Sequence, residues 1–228
     1  MSESVIQQRH YLRAMGIDLW LERRVEQQSD TSLQNDWQNL EQRVAACQRC
    51  ELYLCRKQTV FGRGSQQARL MLIGEAPGAE EDRQGLPFVG RAGQLLDRII
   101  TGVGLSMDDI YIANVLKCRP PNNRDPNVAE VAQCQDYLQQ QVDLLQPQLI
   151  LALGRIAAHN LLHVSTALSR LRGQAHVFGQ TKIPLWVSYH PAYLLRNPAD
   201  KAKNHRIIYQ CSELTSDLIR QILARRFW

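Results

Sequence analysis

Four short runs of apolar residues punctuate the chain, at residues 69–74 (RLMLIG), 110–115 (IYIANV), 148–154 (QLILALG) and 183–189 (IPLWVSY). Their length and continuity predict strands buried on both faces, as in a parallel sheet. The stretches between them carry apolar residues at helical spacing. In residues 91–103, Ala92, Leu95, Leu96, Ile99, Ile100 and Val103 form one stripe. Residues 36–50, with Leu40 and Val44 on one face, residues 128–145, closed by Pro147, and residues 156–162 and 203–225 also read as helices. The alternation predicts a three-layer α/β/α fold around a central, mainly parallel four-stranded sheet. In such sheets a ligand sits beyond the carboxyl ends of the strands. Those ends carry Glu75, Asn114, Gly154 and His190, and three of the four are polar.

Residues 1–36 break this pattern. They are rich in Gln, Arg and Ser, with one apolar block at 11–20 (YLRAMGIDLW) and a polar stretch at 25–35 that reads as a linker. The chain therefore divides into an N-terminal docking peptide and linker, 1–36, and a folded domain, 37–228.

Composition narrows the class. With 228 residues, 44% of them hydrophobic, the chain can bury one sizeable core. No apolar run approaches the roughly 18 residues of a membrane helix. The first sixteen residues lack the apolar segment of a secretory signal, so a cytoplasmic protein is expected. The net charge of +5 suits a polyanionic partner without requiring one.

Six cysteines, at 47, 50, 55, 118, 134 and 211, are unlike a disulfide framework in a reducing compartment. Cys47 and Cys50 form a C-x2-C pair, and fifteen residues separate Cys118 from Cys134. Four thiolates can hold a zinc ion or a [4Fe–4S] cluster, and spacing does not choose between them. After the first strand, Glu75 and Glu81 place carboxylates at the ends of a Gly- and Pro-containing turn. Phe88 follows, pinned between Pro87 and two glycines, as suits an aromatic ring that stacks on a flat base.

Three blocks, GEAPGAEEDRQGLPFVGRAGQLLD, YIANVLKCRPPNNRDP and HPAYLLRNP, stand in this order and resemble the hallmark segments of the family 4 uracil-DNA glycosylases. The resemblance runs from about Trp37 to the C-terminus. It implies an enzyme that flips uracil from DNA and hydrolyses its N-glycosidic bond, with a [4Fe–4S] cluster on Cys47, Cys50, Cys118 and Cys134. It further implies that Phe88 stacks on the base and that the Asn114 amide reads its O4 and N3–H. His190 would donate a hydrogen bond to O2, and Glu75 would position the attacking water. Ala76, Gly78 and Glu81 fall at the base, Glu81 as a second acid. Either Leu194 or Leu195 is expected to fill the gap left in the duplex, with Arg196 on a phosphate. Ala76 departs from the glycine of many relatives. Residues 168–174 lack the basic insertion of relatives that are trapped covalently on DNA, so turnover is expected.

The block at 11–20, followed by Arg23 and Arg24, resembles the N-terminal peptide of the psi subunit of bacterial DNA polymerase III, which anchors psi to the clamp loader. By that resemblance Leu12, Met15, Ile17 and Trp20 would bind a partner. The rival expectation is a helix packed on its own domain. Two other functions compete with the glycosylase: a non-catalytic replisome adaptor that retains the fold, and a zinc-stabilised nucleotide-binding module. Nothing in the sequence demands more than a monomer.

Overall fold

The structure, a computed structural model, describes residues 30–179 and 182–226, with side chains from 33 to 213 outside 180–181. The chain packs as two units, 1–34 and 35–228. Leu12, Met15, Ile17 and Trp20 lie outside the described residues.

Helix α1 (Asp30–Ala45) starts inside the stretch read as a linker and stops five residues short of the expected end at Cys50. Trp37, Leu40 and Val44 recur at helical spacing and are buried. The Trp37 ring packs edge-on against Phe61 and tilted against Tyr111. After Ala45 the chain tightens, with Cys47 N–H donating to Val44 O, and a 3₁₀ turn follows at Glu51–Leu54. Breaking the helix there brings both thiols of the C-x2-C pair to one cavity wall.

The sheet has six strands, not the four expected, in the order β1-β3-β2-β4-β6-β5. They are β1 (Arg63–Gly64), β2 (Leu70–Gly74), β3 (Ile110–Asn114), β4 (Leu149–Leu153), β5 (His176–Phe178) and β6 (Ile183–Ser188). The four long strands are the expected ones and are mutually parallel. The two additions are antiparallel edge strands of two and three residues, too short to carry a readable alternation.

The inner strands read as continuous apolar runs because each face is covered. Along β2, Met71 and Ile73 enter one core cluster while Leu70 and Leu72 enter the other. On the first face, α1 packs with α4 (Val128–Leu145), α5 (Arg155–Leu162) and the single turn α6 (Leu168–Leu171). The second face takes α3 (Arg91–Gly102), α7 (Pro191–Arg196) and α8 (Lys201–Arg226). The short α2 (Ala79–Gln84) lies in the loop after β2.

Pairing of β2 with β3 continues past the strand ends. Val115 N–H donates to Gly74 O, and Leu116 N–H donates to Glu75 O. The backbones of Glu75 and Asn114 are thereby fixed side by side. This is also where the chain order reverses across the sheet, with β3 on one side of β2 and β4 on the other. A crevice at such a switch point is where α/β sheets bind ligands.

Candidate active site

A cavity of about 470 Å³ opens at the carboxyl ends of the parallel strands. It gathers most of the residues singled out in the sequence: Glu75, Ala76, Gly78, Glu81, Phe88, Asn114, His190 and Arg196 all line it.

Phe88 and Asn114 form its floor. Both are buried, and their side chains converge over Gly74, where a Cβ would collide with Asn114 Oδ1 and come within 2.6 Å of the Phe88 ring. Asn114 Oδ1 is a buried acceptor without a hydrogen-bond partner among the described residues. Leaving such a group unpaired costs about 1–3 kcal/mol, which a ligand with an N–H at that point would relieve. The backbone carbonyl of Asn114, by contrast, is satisfied, accepting from Lys117 Nζ at 2.8 Å.

Phe88 holds a left-handed conformation, φ 55°, which is costly for a residue with a side chain. Glu81 keeps it there. Its Oε1 accepts from Val89 N–H at 3.0 Å and from Gly90 N–H at 2.9 Å, clamping the turn just after the ring. Arg63 completes the clamp by donating to Phe88 O at 3.1 Å while paired with Asp97. Gly93, in the first turn of α3, lies so close beneath that a Cβ would overlap the Phe88 carbonyl. Glu81 also covers Gly78: a Cβ there would come within 2.7 Å of its Oε2. A side chain at Gly78 would therefore have to shift the Glu81 carboxylate.

His190 faces Phe88 across the cavity, ring centroids 5.5 Å apart. Its Nδ1 accepts from Ala192 N–H at 3.2 Å, which caps α7 and assigns the ring proton to Nε2. Burial, reinforced by the charge of Arg196 and opposed by Glu81, pushes its pKa down to about 4. The ring is therefore a neutral Nε2–H donor at physiological pH. The two residues before His190 are fixed by Asn204, whose Oδ1 accepts from Ser188 Oγ and Tyr189 N–H.

Glu75 has the opposite charge problem. Burial, together with the negative charge of Asp125 and against that of Arg155, raises its carboxyl to about 7.

Of the two leucines expected to enter the duplex, Leu194 is fully buried in the second core cluster, so it is not available for insertion. Neighbours on a helix stand about 100° apart, so packing can bury one and leave the other exposed. Leu195 is the exposed one, at 38%. His176, near the loop that distinguishes the covalently trapped relatives, has its Nε2 against Leu171 O at 2.8 Å.

Cys47, Cys50, Cys118 and Cys134 line a second, smaller cavity between α1, α4 and the loop after β3. Among the described residues no group of His, Cys, Asp and Glu is arranged to hold a single metal ion. A cubane needs its four thiolates farther apart than one ion does, around a shared cavity. The surroundings fit a thiolate-held group of net negative charge. Arg56 donates to Cys118 Sγ at 3.1 Å, and Lys117 N–H donates to Cys134 Sγ at 3.3 Å. Burial otherwise pushes the Cys118 thiol up to about 11 and raises that of Cys134. Metal binding would have to displace those protons. Cys55 and Cys211 take no part in this wall.

Sequence reasoning gave no role to Lys117, Arg63, Asn204 or Asp125. Lys117 is wholly buried, and burial lowers it to about 8. It bonds Gln141 Oε1 as well as Asn114 O, and Gln141 in turn reaches Phe61 O and Tyr111 Oη. In the sequence Lys117 is a lone charge between Leu116 and Cys118, and only its bonds to Asn114 O and Gln141 Oε1 reveal that it turns inward.

The fold and cavity define a class: an α/β protein with a cavity at the carboxyl ends of its parallel strands, lined by an aromatic ring, a buried carboxamide, a neutral imidazole and a half-buried carboxylate. The signature of the Uracil DNA glycosylase superfamily matches residues 61–210. A type-4 uracil-DNA glycosylase of Pyrobaculum aerophilum is 43% identical over 171 residues, spanning 72% of this chain and 87% of that one. Those of Archaeoglobus fulgidus and Thermotoga maritima are 42% and 38% identical, over 68% and 79% of this chain and 81% and 93% of theirs. The chain belongs to the uracil-DNA glycosylase superfamily.

Proposed function

We propose that the protein removes uracil from DNA by hydrolysing its N-glycosidic bond, leaving an abasic site. The observation that carries this is the buried, unpartnered Asn114 Oδ1 beside the Phe88 ring, with the His190 donor in the same cavity. The floor accepts a planar base with an N–H at its edge. Uracil has N3–H to meet Asn114 Oδ1 and O4 to meet the amide N–H. Cytosine presents the reverse pattern and leaves both groups unpaired, at about 1–3 kcal/mol each. A base inside a duplex cannot reach the cavity, so it is extruded first. Leu195 and Arg196 stand at the surface to meet the duplex.

Cleavage of the bond between the sugar C1′ and the base N1 leaves the electron pair on the base. Neutral His190 Nε2–H donates to O2, where that charge accumulates. Glu75, when ionised, orients the attacking water and offsets the positive charge developing on the sugar. The water oxygen bonds to C1′, and its proton leaves through the carboxylate. Loss of Glu75, Asn114 or His190 would have favoured a non-catalytic adaptor, and all three line one cavity.

Cys47, Cys50, Cys118 and Cys134 hold a [4Fe–4S] cluster in this reading. When bound, it supplies a cross-link between α1, the loop after β3 and α4, the elements that support Asn114. The polar Lys117 and Arg56 contacts and the type-4 relatives support this. Absorbance near 400 nm with four irons per chain tests it. The expectation that Leu12, Met15, Ile17 and Trp20 dock on the clamp loader of DNA polymerase III, with the enzyme a cytoplasmic monomer, is tested by mixing residues 1–24 with that complex. No binding at tens of micromolar refutes the docking.

The deciding assay is alkaline strand scission of an oligonucleotide with one uracil, with Glu75→Gln and Asn114→Ala as controls. Scission by the native protein and its loss in both variants are expected. No scission of single- or double-stranded substrate by protein with an intact cluster refutes the function.

A further inference from the structure

The loop that joins β3 to α4 does more than carry a cysteine. Arg124 makes a two-point contact with Glu130, whose side chain is almost entirely buried, and Asn127 N–H donates to the same carboxylate. Asn127 Oδ1 in return accepts from Glu130 N–H, closing the first turn of α4. Asp125 lies between these two anchored residues, so its position is fixed from both sides. It enters the wall of the cavity that contains Glu75. There its Oδ2 meets Arg155 at 2.9 Å. Arg155 is the first residue of α5, directly after Gly154 at the end of β4. An ion pair whose halves come from two different elements thus has one half, Asp125, in the cavity wall that also holds the half-buried Glu75.

The other charged or titratable groups of the cavity wall are engaged elsewhere. Glu81 is held by the Val89 and Gly90 amides, Arg124 by Glu130, and the Arg196 charge bears on His190, which is neutral. Asp125 and Arg155 are the charges that act on Glu75, with opposite sign.

We propose that Asp125 and Arg155 are positioning residues for the reaction: the pair sets how much of Glu75 is ionised at working pH. This rests on the assignment of Glu75 as the carboxylate that serves the attacking water. An isolated salt bridge with both side chains more than half exposed adds little stability, so holding the loop is a poor reason for it. Beside a half-buried carboxylate, the same two charges have leverage on chemistry. Asp125 favours the protonated form and Arg155 the ionised form. The balance between them sets the pH at which the enzyme switches on.

The test is the single-turnover rate of uracil release from a single-stranded oligonucleotide, followed from acid to alkaline pH. The native enzyme, Asp125→Asn, Arg155→Gln and Arg155→Lys are compared, each with its cluster absorbance verified. Asp125→Asn should move the midpoint of the acid limb down and Arg155→Gln should move it up. Each shift should be roughly half a pH unit, the scale of a part-screened charge, and should shrink in high salt. Arg155→Lys keeps the charge and should restore the native midpoint. A structural salt bridge would give both neutral variants the same phenotype. Shifts of one sign in both, or no shift in either, overturn the proposal. If Glu75→Gln is inactive while the midpoints stand still, only this proposal falls. If Glu75→Gln is fully active, the assignment of Glu75 falls as well.

Discussion

Glu81 offers a sharp test because its geometry departs from the role its sequence position suggests. A second acid beside the base would be expected to move protons. Instead its Oε1 is spent on the amides of Val89 and Gly90, the two residues after Phe88. Hydrogen bonds to a charged acceptor contribute about 1.5–3 kcal/mol each, toward the low end for a part-buried pair. The left-handed Phe88 costs about 1–2 kcal/mol that the clamp offsets. Glu81→Ala therefore removes roughly 2–4 kcal/mol holding the ring in its stacking position. If that loss falls on base binding, uracil release weakens by roughly 30- to 1000-fold at sub-saturating substrate. Glu81→Gln keeps an oxygen at the same place, and neutral acceptors contribute about half as much, so the loss should be about tenfold. The assay is kcat/KM for uracil release over a range of pH, beside thermal melting to confirm the fold. The expected order is native, then Gln, then Ala, with one shape of pH profile throughout. A Gln variant as inactive as the Ala variant, with an altered pH profile, would show that Glu81 titrates in the reaction and refute the clamp.

Glu75→Gln should trade activity for stability. The folded pKa, about 7, lies above that of the unfolded chain, so folding takes up protons and stability falls as pH rises from about 4.5 through 7. The variant should be more stable than the native protein at pH 8, by about 1–2 kcal/mol after allowing for solvent around the carboxylate, with the difference closing as the pH falls below about 4.5. Lys117→Met leaves Asn114 O and Gln141 Oε1 unpaired in the core and should destabilise by about 2–5 kcal/mol in denaturant titration, with faster bleaching of any cluster absorbance. Gly93→Ala should displace the Phe88 carbonyl and cut uracil release by about 5- to 150-fold, the size of a lost stacking ring, while iron content is unchanged. The rate should climb with pH through about 7 as Glu75 ionises and then stay level to pH 9, because His190, near 4, has no proton left to lose in that range. A bell-shaped profile centred below pH 8 would contradict the neutral imidazole.

The layers of this fold were legible because buried parallel strands write themselves as unbroken apolar runs. Leu70–Gly74 and Leu149–Leu153 have every position buried, one residue to each face in turn. The edge strands were invisible for the opposite reason. Arg63–Gly64 and His176–Phe178 are strands only because Ile112 and Leu185 offer backbone partners. Their own residues carry no period. The cavity residues were found because three of the four strand ends, at Glu75, Asn114 and His190, concentrate them in the sequence; Gly154, at the fourth, does not line the cavity. The groups that hold those residues were not, since Arg63 and Asn204 come from other parts of the chain and Lys117, three residues from Asn114, is a charged residue turned into the core. Leu194 and Leu195 show the limit of a motif: it named the pair, but the packing of α7 on the second core cluster decides which one faces out.

The cavity illustrates how burial alone can set up two opposite tasks. Taking a titratable group out of water disfavours its charged form, whichever sign that is. At His190 this yields a neutral ring whose one proton is directed by the Ala192 amide, a donor that suits an anionic leaving group without proton transfer. At Glu75 the same desolvation works against function, because a protonated acid neither orients water nor balances a cationic sugar. One wall of the site can therefore be dry, but the other needs a counter-charge. Arg155 supplies one, but Asp125 bears on Glu75 more strongly and with opposite sign, so the carboxyl stays raised to about 7; both come from elements outside the block of sequence that carries Glu75. The distinction follows from the chemistry of the two partners: the base must be held by neutral groups that discriminate it, while the sugar needs a negative charge that appears only as the pH approaches 7.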